Sequence, residues 1–229
     1  MTARSATPSR RADPGAMPFA VALLIGVNCL VEGLLQAADH GVFATPHLRG
    51  LAYEYGAFFS PLLRGARPDY AAQPVTMFLS YALLHAGWLH LLVNMLALAG
   101  IGSEIARAAG TARFLAGYAL TAIGGAACFG LLTASPVPMV GASGALFGLL
   151  GIRICWGYQE RRHYGEGMRD IWRALFILVA YNLVFWLLLH GQLAWETHLG
   201  GFVAGWLLAL AWGRPIYRRR RRGPDPARG

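Results

Sequence analysis

Ala134-Ser135-Pro136-Val137-Pro138-Met139-Val140-Gly141-Ala142-Ser143-Gly144-Ala145-Leu146-Phe147-Gly148 is the stretch on which the fold turns. Its prolines cannot sit inside a helix, because each removes a backbone N–H and clashes with the preceding turn. A helix is therefore expected to start afresh at Ser143, and its apolar run ends near Trp156. About fourteen residues make only about 21 Å of helix, against a hydrocarbon layer of about 30 Å. Entered from the outer face, a helix that short must begin below the membrane surface. Ser143 would then stand at a buried helix N-terminus, where free N–H groups and the positive dipole end favour an anion.

The flanking sequence agrees with a bilayer as the solvent. Hydrophobic residues make up 56% of the 229-residue chain and charged residues 14%, where a soluble domain carries about 25% charge. The apolar residues fall in blocks over about 18–38, 74–100, 114–133, 143–156, 171–189 and 194–212. The expected fold is an all-α membrane protein, a six-helix bundle over 18–212 with a short, buried-start fourth helix. Residues 1–17, rich in Arg, Ser, Ala and Pro, are expected to be a disordered tail, and 213–229 a basic one. In the first block Asn28, Glu32 and Gln36 share one helical face. Polar groups facing lipid are costly, so that face is expected to point inward, with Glu32 as a structural hydrogen-bonding residue. The connection over 39–73 mixes Tyr53, Tyr55, Phe58 and Phe59 with Arg49, Arg64 and Arg67. Such a mixture suits the headgroup region, and a connection this long is usually functional or partly structured.

All 20 basic residues are Arg, giving a formal charge of +9. Seventeen lie in the tails and even-numbered connections and three in the first long connection. That bias places both termini in the cytoplasm and argues against nucleic acid as the partner of this charge. Arg218 to Arg222 are expected to meet anionic lipid. The absence of Lys points to a bacterial chain, hence to a plasma (inner) membrane. Cys29, Cys128 and Cys155 lie within or at the end of apolar segments, and an odd number at that depth is no disulfide framework.

Ser143 alone is ambiguous, since serine is also a common helix cap and Gly144 and Gly148 form an ordinary small-residue packing face. His198 changes the reading. It lies on the outer part of the sixth block, with Gly201 and Gly205 on the same face. Two helices that each present glycines can approach closely enough for a hydroxyl to reach an imidazole, the base that a serine nucleophile requires. His90 and Asn94, spaced i, i+4 on the second block, can both donate to an oxyanion. His85 lies off that face and reads as structural. Glu196, two residues from His198, points elsewhere, so the site reads as a Ser–His dyad without a third member. Zinc chemistry would need an H-E-x-x-H helix, and none occurs. Aspartyl chemistry would need membrane-embedded aspartates, but Asp13, Asp39, Asp69, Asp170 and Asp225 lie in tails or connections. A transporter would more often carry internal repeats, and none is visible.

With His90-Leu91-Leu92-Val93-Asn94, Gly141-Ala142-Ser143-Gly144, and His198 with Gly201 and Gly205 in this order, the chain resembles the rhomboid intramembrane proteases over about residues 74–212. The resemblance implies hydrolysis of a peptide bond in or near the transmembrane helix of a membrane-protein substrate, with no metal or cofactor. It implies Ser143 as nucleophile and His198 as general base and then acid. The oxyanion hole would be His90, Asn94 and the Ser143 backbone N–H. It further implies a first connection lying partly in the outer leaflet, with the fifth helix and residues 190–196 as gate and cap. Some members carry a Trp-Arg pair near the end of the first connection, where this chain has only Arg64-Gly65-Ala66-Arg67, so a role tied to that pair is not carried over. A catalytically silent relative that binds transmembrane helices is the alternative that such a resemblance leaves open.

Overall fold

The computed structural model describes residues 16–213 except 44, 46 and 134, so nearly all of the amino-terminal tail and the whole Arg218–Arg222 run lie outside the described residues. Among the described residues the regular structure is helical, apart from one antiparallel bridge between Phe58 and Met139. The helices are α1 (Phe19–Asp39), α2 (Leu48–Gly56), α3 (Gln73–Ser80), α4 (Trp88–Ala97), α5 (Ser103–Ala109), α6 (Thr111–Leu132), α7 (Ser143–Tyr164), α8 (Arg169–Leu188) and α9 (Trp195–Trp212).

Four stretches are long and apolar enough to cross a bilayer: Phe19–Asp39, Trp88–Ala109, Thr111–Leu132 and Arg169–Leu188. The protein is a multi-pass membrane protein. Helices α7 and α9 have 22 and 18 residues, but glycines and polar side chains dilute their apolar character. That dilution suits their place, because α6, α7 and α9 pack on one another at the centre of the bundle. At the rim, only 6% of the α8 span is buried, and Trp172, Phe176, Val179, Leu183 and Leu187 point outward. Such a face is matched to lipid tails and would be a liability in water.

Glycine contacts set the central packing. A Cβ on Gly201 would land on the Gly144 carbonyl, and one on Gly205 on the Gly148 carbonyl. The expected glycine faces of α7 and α9 thus meet backbone to backbone. The seam is wider than the sequence pattern suggested. Gly151 abuts the Phe202 carbonyl, while Gly124 and Gly125 of α6 meet Ala204 and Thr197 of α9.

Three expectations about helix bounds need correcting. The block over 74–100 is not one helix. After α3 and a 3-10 turn at Tyr81–Leu83 the chain is extended at Leu84, and α4 begins only after Gly87, whose φ is +99°. Apolarity ran through this break because hydropathy registers the solvent, whereas the positive φ interrupts the backbone hydrogen bonds. The connection over 103–113 is mostly helix. A π-helical turn at Leu98–Gly102 leads into α5, and Gly110 alone separates α5 from α6.

The fourth helix is also not short. It continues through Tyr158-Gln159-Glu160-Arg161-Arg162-His163-Tyr164 to a left-handed cap at Gly165, so that only its apolar portion ends near Trp156. At 22 residues it is about 33 Å long. The inference that Ser143 must be recessed because its helix cannot span therefore fails. What recesses Ser143 is its surroundings, since Ala142, Gly144, Ala145 and Leu146 are all buried.

The polar face of α1 points inward as expected, with Asn28 and Glu32 fully buried. Glu32 accepts from Gln36 at 2.9 Å and pairs with Arg49 of α2 at 2.9 Å. Arg49 also reaches Asp39 at 2.6 Å and donates to the His85 carbonyl at 3.0 Å, which Tyr53 shares at 2.8 Å. This cluster ties α1 and α2 to the break that precedes α4. Removing Arg49 would leave the buried Glu32 carboxylate without its counter-charge, a loss of about 3–5 kcal/mol in comparable sites.

Candidate active site

Ser143 is the first residue of α7 and is half-buried. The segment before it is extended and held from two sides. Met139 exchanges both backbone hydrogen bonds with Phe58, at 3.0 and 2.9 Å, and the Gly141 N–H donates to the Tyr81 carbonyl at 3.0 Å. Gly141 has φ +126°, and a Cβ there would strike the Cε1–Nε2 edge of the His90 ring. Both constraints select glycine two residues before the serine.

Across the central seam, His198 Nε2 lies 2.9 Å from Ser143 Oγ. The His198 side chain is nearly fully buried, and its ring stacks on Phe147, with centroids 4.0 Å apart and planes 2° from parallel. Phe147 stands four residues beyond Ser143, one turn along the same face of α7. The serine and the platform for its imidazole partner thus come from one helix.

His90 and Asn94 lie on the other side of Gly141. The Ala86 N–H donates to His90 Nδ1 at 3.3 Å. A neutral imidazole that accepts at Nδ1 carries its proton on Nε2, and Nε2 is the edge set against Gly141. Asn94 is buried, and its side-chain amide donates to the His90 carbonyl at 2.9 Å with one of its two hydrogens. His85, read from sequence as structural, is buried edge-on to His90 with centroids 5.2 Å apart. Cys29, Cys128 and Cys155 are free thiols.

One residue escaped the sequence reading. Asn182 of α8 places Oδ1 2.6 Å from His198 Nδ1. Between Arg173 and His190, Tyr181 and Asn182 are the only polar side chains in an apolar run. An amide in mid-membrane needs a partner, and that was the available signal. The sequence does not say which partner, because His198 lies on a different helix.

A multi-pass helical membrane protein with a serine–imidazole pair across its central helices is the class that this fold and site define. Residues 72–215 match the Rhomboid domain family model, and the chain belongs to the rhomboid family. It is 33% identical over 132 residues to Rhomboid protease GluP of Bacillus subtilis, an alignment covering 58% of this chain and 25% of that protein. It is 36% identical over 127 residues to RHOMBOID-like protein 1 of Arabidopsis thaliana, covering 56% and 32%. It is 31% identical over 210 residues to Rhomboid protein 1, mitochondrial, of Saccharomyces cerevisiae, covering 87% and 55%. The chain thus spans between a quarter and just over half the length of these relatives.

Proposed function

We propose that this chain is an intramembrane serine endopeptidase that cleaves membrane-protein substrates in or near a transmembrane segment. The observation that carries the reading is the 2.9 Å approach of His198 Nε2 to Ser143 Oγ at the start of a central helix. In this reading Ser143 Oγ attacks the scissile carbonyl carbon while its proton passes to His198 Nε2. The carbonyl oxygen becomes an oxyanion, met by the Ser143 backbone N–H, His90 Nε2–H and the second amide hydrogen of Asn94. Collapse of this intermediate breaks the peptide bond, and His198 returns the proton to the leaving amine. Water then attacks the acyl carbon as its proton passes to His198; the acyl–Oγ bond breaks, His198 returns the proton to Ser143 Oγ, and the acyl group leaves as a carboxylic acid. No metal or cofactor takes part.

The direct test is covalent labelling by a serine-reactive fluorophosphonate in detergent or liposomes. Wild-type protein should label and Ser143→Ala should not; equal labelling of the two would remove Ser143 as nucleophile.

Asn94→Ala should leave the Ser143–His198 contact in place and lower cleavage by about 10²–10³, the usual loss for one oxyanion donor. His90→Ala should cost the same or less. Both effects should fall on the turnover number for a transmembrane substrate, with fluorophosphonate labelling slowed but retained. A wild-type turnover number in Asn94→Ala would show that its amide does not meet the oxyanion.

We also propose six crossings, with α7 and α9 completing the four apolar spans, and both termini cytoplasmic in a bacterial plasma membrane. The support is the excess of 17 Arg over 3 on that side. It includes Arg161 and Arg162 at the end of α7 opposite Ser143. A reporter fused after residue 213 should be active in the cytoplasm, and a periplasmic signal would reverse the assignment. We propose as well that Arg218–Arg222 meet anionic lipid on the cytoplasmic face.

A further inference from the structure

The polar contacts around His198 assign a function to the amide on α8. Asn182 Nδ2 donates to the Leu178 carbonyl at 3.0 Å, one turn back on its own helix. A carbonyl oxygen can only accept, so this contact fixes which end of the amide faces Leu178 and turns Oδ1 toward His198 Nδ1 at 2.6 Å. Oδ1 can also only accept, so Nδ1 of His198 must carry the ring proton. In a neutral imidazole the proton is then absent from Nε2, and the Nε2 lone pair faces the Ser143 hydroxyl at 2.9 Å. His90 has the opposite arrangement, accepting at Nδ1 from the Ala86 N–H. Neighbouring backbone and amide groups thus set one imidazole to accept a proton and the other to donate.

We propose that Asn182 is the positioning residue for His198, holding the imidazole in the tautomer and orientation that let Nε2 take the Ser143 proton. The inference rests on the serine-protease reading and adds to it a third member supplied by α8. Its placement has a second consequence. Ile171, at the amino-terminal end, is the only buried residue of α8, and that end is also tied by Arg161 to Asp170 at 2.5 Å. Farther along, α8 meets the site through the Asn182–His198 bond and the Tyr181–Phe147 ring contact, with centroids 6.4 Å apart. The base is therefore oriented by the apolar span with the smallest buried share, and is fully oriented only while α8 lies against α9.

The test is the rate of fluorophosphonate labelling in full-length protein carrying Asn182→Leu, Asn182→Ala or Asn182→Asp, beside thermal unfolding of each in detergent. Leu keeps the branched heavy-atom skeleton of Asn but lacks the acceptor. Asn182→Leu and Asn182→Ala should label on the order of 10- to 100-fold more slowly, part of what a positioned general base contributes, with unfolding temperatures near that of wild type. Asn182→Asp restores an acceptor at the same place and should recover most of the rate, a rescue that a packing role would not give. Asn182→Leu labelling at the wild-type rate would overturn the proposal, as would equal slowing in Leu and Asp. Ser143→Ala is run in parallel and separates the two readings. If it labels like wild type, the protease reading itself fails; if it is silent while Asn182→Leu is unaffected, only the role of Asn182 falls.

Discussion

Ser143→Ala and His198→Ala should each bring cleavage of a transmembrane substrate in proteoliposomes below detection, a loss of roughly 10⁶ in turnover where a serine and its histidine act as a unit. The size follows from the isolation of the pair. Nε2 of His198 has one hydroxyl within reach, and no carboxylate approaches it among the described hydrogen bonds. A protein lacking the serine has no second nucleophile in place. One lacking the imidazole leaves Oγ to ionise unaided in a buried setting. Because both groups belong to one step, the double variant should be no worse than either single one. Additive losses, or clear residual turnover in Ser143→Ala, would contradict the proposed step.

The second large effect is expected from a residue with no reactive atom. At Gly201 and Gly205 an added Cβ would fall on the carbonyls of Gly144 and Gly148, which are backbone and cannot swing aside as a side chain would. Gly201→Ala should therefore push α9 away from α7. A displacement of about 1 Å is enough to cost about 10²-fold in rate. Gly201→Leu should abolish cleavage and lower the unfolding temperature in detergent as well. Gly26→Ala is the control, because a Cβ there meets nothing within 4 Å. It should leave activity unchanged and stability equal or slightly higher, by up to about 1 kcal/mol from helix propensity. Wild-type turnover in Gly201→Ala would mean that the α7–α9 crossing relaxes without harm to the site.

The parts of the site legible in the sequence were those whose residue type and spacing carry the physics. Gly144 and Gly148, Gly201 and Gly205, and His90 and Asn94 each repeat at a helical interval, so each pair shares a face wherever its helix sits. Closely packed glycine faces imply that Ser143 and His198 can meet, and they lie 2.9 Å apart. Helix limits were less legible, because in a membrane chain apolarity reports where water is absent and not where backbone hydrogen bonds stop. The break at Leu84–Gly87 lies within an apolar run, and the end of α7 lies beyond one. Asn182 was hidden for a different reason. Its role depends on the angle at which α8 meets α9, which no spacing within either segment encodes. The Arg49 cluster was similarly out of reach, since its partners Glu32, Asp39 and His85 come from separate parts of the chain.

The contact between His198 and Ser143 also bears on how such a protein can be made safely. The two residues are 55 positions apart, and the imidazole sits on the last described helix. The segment leading to the serine is held by Phe58 and Tyr81, both upstream of it. A ribosome delivers these holding groups first, then the serine, and the imidazole after every other described helix. A nascent chain stalled or truncated before α9 therefore carries its hydroxyl already set in place but with nothing to take its proton. Proteolytic competence, on this reading, is acquired only when α9 inserts and brings the imidazole, so a chain cut short before it would sit in the membrane without a working pair.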